Sequence, residues 1–168
     1  MEAPHDDDAE RELLGNLMQH PDWMPDIAGQ LAVEDFYRPT HGAIFLVLCD
    51  MWAAGTLSDS PAVLVHLRQN NITIDRDVLL ACISAPTGGE TTTRLCAERV
   101  LQCAIARRAA LVCQQAASKA LTADMPPAEL IDWIKSEVAA IDVPADDTID
   151  GYSLMVDARN RAEVAPEP

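Results

Sequence analysis

Apolar and polar positions recur along most of the chain at spacings of three and four residues, the period of an amphipathic α-helix. The first such stretch follows Asp7 and Asp8, either of which can cap a helix that stops soon after at Pro21. Its apolar face contains Leu13, Leu14, Leu17 and Met18. The pattern therefore predicts a helix with one buried side.

Two further helices are predicted before residue 56. The first is short and surrounds Pro25, with apolar positions every four residues at Trp23, Ile27 and Leu31. The second is closed by Gly55, which suits a left-handed cap. Its core positions are His41, Ile44, Phe45, Leu48 and Trp52.

The next two predicted helices are also short. Ser60 and Pro61 supply an N-cap and a first helical residue, and Asn70-Asn71 ends the element. Its inward positions are Leu64 and Leu67. Asp75 caps the following helix, whose apolar face is Val78, Leu79, Cys82 and Ile83. The cluster of Pro and Gly residues at 85–89 ends it.

No Pro or Gly interrupts residues 91–121, a length of roughly eight helical turns. Pro126-Pro127 then makes a turn and starts a last helix, with an apolar stripe at Leu130, Ile131, Ile134, Val138 and Ile141. These two segments predict an antiparallel helical hairpin in an all-α protein. We divide the chain into an acidic tail (1–8), a compact multi-helix head (9–90), the long hairpin (91–142) and a linker or tail (143–168), where Tyr152, Met155 and Val156 suggest a weakly amphipathic turn.

The formal net charge is −15, from 12 basic and 27 acidic residues. Such a surface repels the phosphate backbone, so we expect no autonomous nucleic-acid binding, although a basic protein would be attracted. The five cysteines are odd in number and fall in periodic helical segments, which favours reduced thiols in the cytoplasm. The apolar runs are too short to cross a bilayer, so no membrane association is expected.

Several sequence segments closely resemble the N-terminal domain of DnaB-type replicative DNA helicases. They are Ala9-Glu10-x2-Leu13-Leu14-Gly15-x-Leu17, Glu34-Asp35-Phe36-Tyr37-x3-His41-x2-Ile44-Phe45 and Gly55-x3-Asp59. The resemblance spans residues 9 to 142. It implies an all-helical domain that forms pairs in a hexameric ring, contacts primase or a helicase loader, and precedes a RecA-like motor domain. One departure is Ile72-Thr73-Ile74-Asp75, which stands where the family has a Gly-Gly lead into an aromatic-containing helix.

The chain lacks the residues that ATPase chemistry requires. A phosphate-binding loop needs a lysine after glycine, whereas Lys119 and Lys135 are the only lysines and neither follows a glycine. The missing loop therefore predicts a domain without enzymatic activity or cofactor of its own, although the resemblance implies that a parent protein would be an ATP-dependent DNA helicase. No motif assigns a catalytic residue.

Two other kinds of site are conceivable. Cys96 and Cys103 share one helical face and Cys113 lies close to that face, which makes a metal site one hypothesis. We interpret the cysteines as core residues instead, because no pair of them has the spacing typical of metal ligands. His41 could act as a general base, but its place on the apolar face favours a buried histidine bonded to a neighbouring turn. Asp35 and Glu34 are interpreted as acceptors for free amide groups before the next helix.

The long helix carries many small residues and the only basic strip of the sequence, formed by Arg94, Arg99, Arg107 and Arg108. We expect Arg107 and Arg108 to pair with Glu98, Glu129 or Glu137 across the hairpin or a dimer seam, with phosphate binding as the alternative. One helical partner cannot cover all of the apolar surface, so self-association is predicted, as a dimer or an assembly of dimers. The candidate surface is Val100, Ala104, Arg107, Arg108 and Leu111.

Three functional hypotheses remain at this stage. The leading one is an oligomerisation and partner-docking domain of a replicative helicase. The alternative is a stand-alone regulatory protein that joins or caps a helicase ring. A distant third is a small all-α enzyme with a carboxylate-bound metal, for which the paired Glu and His motifs are not evident.

Overall fold

The computed structural model describes residues 3–56, 60–70, 72–122 and 125–141. All regular structure in these ranges is helical, which confirms the all-α prediction. The helices are α1 (Asp7–Gln19), α2 (Met24–Ala28), α3 (Pro39–Ala53), α4 (Ser60–Gln69), α5 (Arg76–Ile83), α6 (Glu90–Thr122) and α7 (Pro127–Ala139), with 3-10 helices at Pro21–Trp23 and Val33–Asp35. The predicted turn around Tyr152 lies outside the described residues.

Helix α1 begins one residue earlier than predicted. Asp6 is its N-cap, and the Asp6 side chain accepts a hydrogen bond from the backbone N–H of Ala9 at 3.1 Å. The alternatives Asp7 and Asp8 lie in the first turn, where carboxylates favour the positive end of the helix dipole. The apolar face agrees with the prediction, since its four predicted residues are all buried.

Helix α1 is the centre of the head, packing against α3, α5 and α6. Gly15 allows the close approach of α5, because a Cβ atom there would overlap the carbonyl oxygen of Cys82. Gly42 has a similar role on α3, where a Cβ atom would lie 2.7 Å from the carbonyl oxygen of Val33. These two glycines let backbone segments touch directly, so the core is built around them.

Helix α3 differs from its prediction in the last turn. Ile44, Phe45 and Leu48 are buried, but Trp52 is 42% exposed and Met51 takes the expected core position. The apolar stripe of a 3.6-residue helix can continue from Leu48 through the residue three or four positions later, and here it takes the nearer one. Gly55, with φ of +64°, confirms the predicted left-handed cap.

Helices α4 and α5 complete the head. Val63 and Leu67 of α4 and Leu79 and Cys82 of α5 are buried in the same core as α1 and α3. The predicted cap of α5 is confirmed, because the Asp75 side chain accepts from the backbone N–H of Asp77 at 3.1 Å.

Helix α6 belongs to the core over its first half and leaves it afterwards. Cys96, Ala97 and Val100 are buried in the core cluster of the head. Beyond them the helix pairs with α7, and the ammonium group of Lys119 lies 5.0 Å from the ring centroid of Trp133. Lys119 lies shortly before the end of α6 and Trp133 shortly after the start of α7, so their contact shows that α7 runs antiparallel to α6.

In the part of the chain that the structure describes, no helix has both the length and the apolar composition of a bilayer span.

Candidate protein-interaction surfaces

A buried carboxylate, Glu10 of α1, organises the contact between α1 and the segment that leads into α3. Its Oε1 accepts from the backbone N–H of Tyr37 at 2.6 Å, and its Oε2 lies 2.7 Å from Nδ1 of His41. The backbone N–H of Arg38 is 3.5 Å from Oε2. Since a carboxylate only accepts, the His41 ring donates through Nδ1. His41 is buried as predicted, but its partner is this carboxylate and not a neighbouring turn.

The second buried carboxylate, Asp35, connects the 3-10 helix Val33–Asp35 to α6. Its Oδ2 accepts from the backbone N–H of Ala32 at 2.7 Å, and its Oδ1 pairs with the guanidinium of Arg108. Asp35 therefore holds its own 3-10 turn, whereas the sequence suggested that it would serve the start of α3. Glu34 is exposed.

Arg107 lies beside the pair of Asp35 and Arg108 and binds the segment that precedes α1. Its guanidinium donates to the carbonyl oxygens of Pro4 and Asp35 and lies 5.7 Å from the ring centroid of Tyr37. The Tyr37 ring is itself stacked on His5, with centroids 4.2 Å apart. Residues before α1 are thus held against the middle of α6.

The basic strip of α6 binds the head and not the second arm of the hairpin. Arg99 pairs with Asp6 at 3.0 Å, and Arg94 pairs with Asp26 at 2.7 Å. Arg108 pairs with Asp35. Within the chain, Arg107 and Arg108 therefore contact the head and not Glu98, Glu129 or Glu137, because the packing of the head on α6 brings Asp35 and the backbone carbonyl of Pro4 beside them. Pairing of these arginines with the glutamates across a dimer seam stays a prediction.

The five residues predicted for self-association lie in different environments. Val100 is 1% exposed and Ala104 2%, so the protomer itself buries both, and a second chain cannot reach them. This part of the prediction is corrected, since α1 and the 3-10 helix Val33–Asp35 cover that face of α6. Arg107 and Arg108 are bound to the head, while Leu111 is 54% exposed.

Apolar surface is exposed along the far part of the hairpin. Leu121 is 88% exposed, Ile131 52% and Val138 53%. Ile131 and Val138 are seven residues apart and therefore share one face of α7. No residue of α7 is buried in the single chain. We call Leu111, Leu121, Ile131 and Val138 the hairpin patch.

The residues quoted for the family resemblance mostly build the core. Leu14, Gly15 and Ile44 are buried, and the rings of Phe36 and Phe45 lie 5.0 Å apart between centroids. Tyr37 is half-buried under Arg107. The residues quoted for the resemblance thus lie next to the hydrogen bonds of Glu10 and Asp35.

The cysteines differ in their surroundings. Burial raises the pKa of the Cys82 thiol to about 11 and that of Cys96 to about 12, so both remain protonated near neutral pH. Burial also raises the pKa of Cys103. Cys113 is exposed, which corrects its interpretation as a core residue. Among the described residues, no three His, Cys, Asp or Glu side chains are grouped to hold a metal.

Sequence reasoning did not single out Glu10 as the central acceptor. The available signal was its position three and four residues before Leu13 and Leu14, which places a charged residue on the apolar face of α1. A carboxylate on such a face requires buried donors.

Comparison with known proteins supplies the remaining findings. A family model described as DnaB-like helicase N terminal domain matches residues 2–99, more than half of the chain. The protein named Replicative DNA helicase DnaB of Mycobacterium leprae (strain TN) is 28% identical over 71 residues, which are 42% of this chain and 12% of that protein. The chain therefore matches only a small part of that relative's length.

A solved structure has the same fold. It is the crystal structure of the N-terminal domain of DnaB helicase from Mycobacterium tuberculosis, with a TM-score of 0.72 at 24% identity. The likeness covers 82% of this chain and 99% of that one.

Proposed function

The chain belongs to the family of DnaB-like helicase N-terminal domains, and we propose that it acts in DNA replication as an assembly and partner-docking domain of a replicative helicase. In this proposal the hairpin joins two copies of the chain through the hairpin patch. The head, held to α6 by Asp35 and Arg108, fixes the direction in which the hairpin projects. The patch is thereby presented away from the core.

The observation that carries the proposal is the exposure of α7. A helix with an apolar stripe normally buries that stripe against another element. Here α6 is the main neighbour of α7 in the described residues, and Ile131 and Val138 remain more than half exposed. A second hairpin offers matching apolar surface and would cover both residues, as an isologous two-fold contact requires.

Light scattering after size-exclusion chromatography tests the proposal. We expect the wild-type chain at tens of micromolar to have the mass of a dimer or of a larger even assembly. Ile131→Glu combined with Val138→Glu should give a monomer, because a buried unpaired charge costs several kcal/mol and so raises the dissociation constant by roughly 100-fold or more. Leu111→Glu should act in the same direction.

The matched control is Leu46→Glu, since Leu46 is an exposed apolar residue of the head, at 41% exposure, and lies outside the hairpin patch. This variant should remain associated, and circular dichroism should show unchanged helicity in all variants. A monomeric wild-type chain, or equal dissociation by the head and hairpin variants, would remove the interface from the hairpin.

We further propose that ATP-driven unwinding belongs to a domain other than this one. The described residues contain no β-strand, and the sequence has no glycine-rich loop followed by lysine, so the residues of a P-loop phosphate site are missing from this sequence. Phosphate release from ATP should equal the no-protein blank. Turnover that copurifies with the wild-type chain through two columns would contradict this.

The docking role is proposed for the head, with primase or a helicase loader as the partner. Exposed apolar residues on three of its helices support it, namely Leu46, Trp52, Val65 and Leu80. Calorimetric titration with the primase of the same organism should show saturable binding. Trp52→Ser or Leu80→Ser should weaken this binding. The hairpin variants should still bind the primase although they are monomers. Absence of heat with both a primase and a loader would oppose a docking role.

A further inference from the structure

A cleft opens on the head between the C-terminal half of α4 and the segment that leads into α5. It has a volume of about 480 Å³, which is within the usual size of binding clefts. Its lining residues are Leu64, Leu67, Arg68, Ile72, Thr73, Ile74 and Arg76. Leu67 is buried and forms part of the core, while Leu64, Ile72 and Ile74 are half-buried. The cleft thus joins an apolar floor to two exposed arginines.

Arg68 and Arg76 stand apart from the other cations of the described residues. Each of the other arginines and lysines there contacts a carboxylate, a carbonyl oxygen or an aromatic ring. Arg68 and Arg76 have no such contact with a described residue. In a chain of net charge −15, two unpaired arginines on one cleft indicate an acidic occupant.

The acidic residues at the N-terminus are already engaged elsewhere. Asp6 pairs with Arg99, Asp7 with Arg38 and Asp8 with Arg11. The other acidic run of the chain follows the hairpin. Segment 146–157 contains four aspartates and no basic residue, and it includes the consecutive apolar residues Leu154, Met155 and Val156. Its composition complements both the arginines and the apolar floor of the cleft.

We propose that this cleft binds segment 146–157 of the same chain, with Leu154 and Met155 on the apolar floor and the neighbouring aspartates at Arg68 and Arg76. The segment would then lie against the head. Association through a cleft of this kind combines apolar burial with charge pairing at the rim, so both kinds of residue should contribute.

The segment begins close to the head. The end of α7 lies level with about residue 112 of α6, because Lys119 and Trp133 are paired near the hairpin turn. Arg108, only about four residues from that level, pairs with Asp35 of the head. The stretch of chain from Ile141 to Leu154 can span up to about 45 Å when extended.

Site-specific photo-crosslinking in the full chain tests the proposal. The photoreactive residue p-benzoylphenylalanine replaces Leu154, and mass spectrometry of the digested protein locates the cross-links. We expect cross-links to residues 64–76, and the same residue in place of Ala165 should give few. Arg68→Glu combined with Arg76→Glu should lower the yield by about fivefold or more, the effect of roughly 1 kcal/mol.

Charge-matched and isotope controls make the outcome decisive. Lys119→Glu with Lys135→Glu changes the net charge equally but leaves the cleft intact, so the cross-link yield should stay. Mixing isotope-labelled with unlabelled chains identifies the source of the segment, and we expect both cross-linked peptides to carry the same label. Circular dichroism verifies that every variant folds.

Three outcomes would overturn the proposal. They are cross-links spread evenly over the head, a yield that the cleft arginine variants leave unchanged, and cross-linked peptides of mixed label. The last would assign the segment to a second copy of the chain. A further experiment places p-benzoylphenylalanine at position 64 and adds a cell extract. Cross-links from this position to another protein, with none to segment 146–157, would also overturn the proposal.

Discussion

Nδ1 of His41 lies 2.7 Å from Oε2 of Glu10, and both side chains are only 2% exposed. The same carboxylate accepts the backbone N–H of Tyr37 at 2.6 Å. The Glu10 carboxylate of α1 thus accepts hydrogen bonds from a backbone N–H just before α3 and from a side chain in the first turn of α3. The backbone N–H of Tyr37 lies just before the helix and has no partner in it, so it needs an acceptor from another part of the chain. The contact therefore fixes the position of α3 against α1.

We predict that Glu10→Ala lowers the free energy of unfolding by roughly 2–5 kcal/mol, because buried donors lose their acceptor. Urea denaturation followed by circular dichroism measures the change. Glu10→Gln should cost less, since its amide oxygen retains one acceptor.

Glu34→Ala is the control for this prediction, because Glu34 is a carboxylate of the same region that is exposed. Its effect should lie within about 0.5 kcal/mol of zero. Equal effects of the Glu10 and Glu34 variants would show that the buried contact contributes nothing.

Arg108→Ala should destabilise the fold by about 1–2 kcal/mol, since it removes a charged partner from the buried Asp35 carboxylate. The arginine is 41% exposed, so solvent screening keeps the expected loss at the lower end of charged hydrogen bonds. Thermal unfolding provides the measurement. Lys135→Ala breaks the exposed pair with Asp132 and should have almost no effect, and a comparable loss in both variants would contradict the prediction.

Gly15→Ala is predicted to destabilise the protein by about 1–3 kcal/mol despite the better helix propensity of alanine, because the added methyl group overlaps a carbonyl of α5. The control is Gly29→Ala, whose new methyl group would lie 3.8 Å from the nearest atom, the carbonyl oxygen of Pro25. That variant should be as stable as the wild type. If both substitutions are tolerated, α1 and α5 are not in direct backbone contact.

The ion pair of Asp7 and Arg38 should contribute a small acid-dependent stability. The Arg38 guanidinium holds the pKa of Asp7 below its ordinary value of 3.8, chiefly by hydrogen bonding. A carboxylate with a lowered folded-state pKa stabilises the fold fully above its unfolded pKa and loses this effect as the pH falls through the folded value. The stability difference between wild type and Asp7→Asn should therefore shrink below about pH 4.

Arg38→Gln supplies the control for the pH dependence. In that background, Asp7→Asn should change stability by nearly the same amount at pH 6 and at pH 3, because the main cause of the shift is gone. The measurement is urea unfolding at both pH values. A pH dependence that survives the loss of Arg38 would assign the effect to other groups.

The local sequence was sufficient for much of the secondary structure. The uninterrupted residues 91–121 predicted the long helix that is observed as Glu90–Thr122, and Gly55 predicted the left-handed cap. Proline, glycine and capping aspartate act through the backbone of their own and adjacent residues, so their effects can be read without knowing the fold. The periodic apolar residues likewise identified the buried side of α1.

Only the tertiary structure decided which groups meet across the chain. Arg108 could pair with any carboxylate within reach, and the packing of the 3-10 helix Val33–Asp35 on α6 selected Asp35, which is 73 residues away. In the same way, packing of the head buried Val100 and left Leu111 exposed on one helix. Periodicity determines that a helical face is apolar, but which neighbour covers the face depends on contacts between distant segments. The sequence therefore determined the helices and their apolar faces, while folding determined which of those faces remain for a partner.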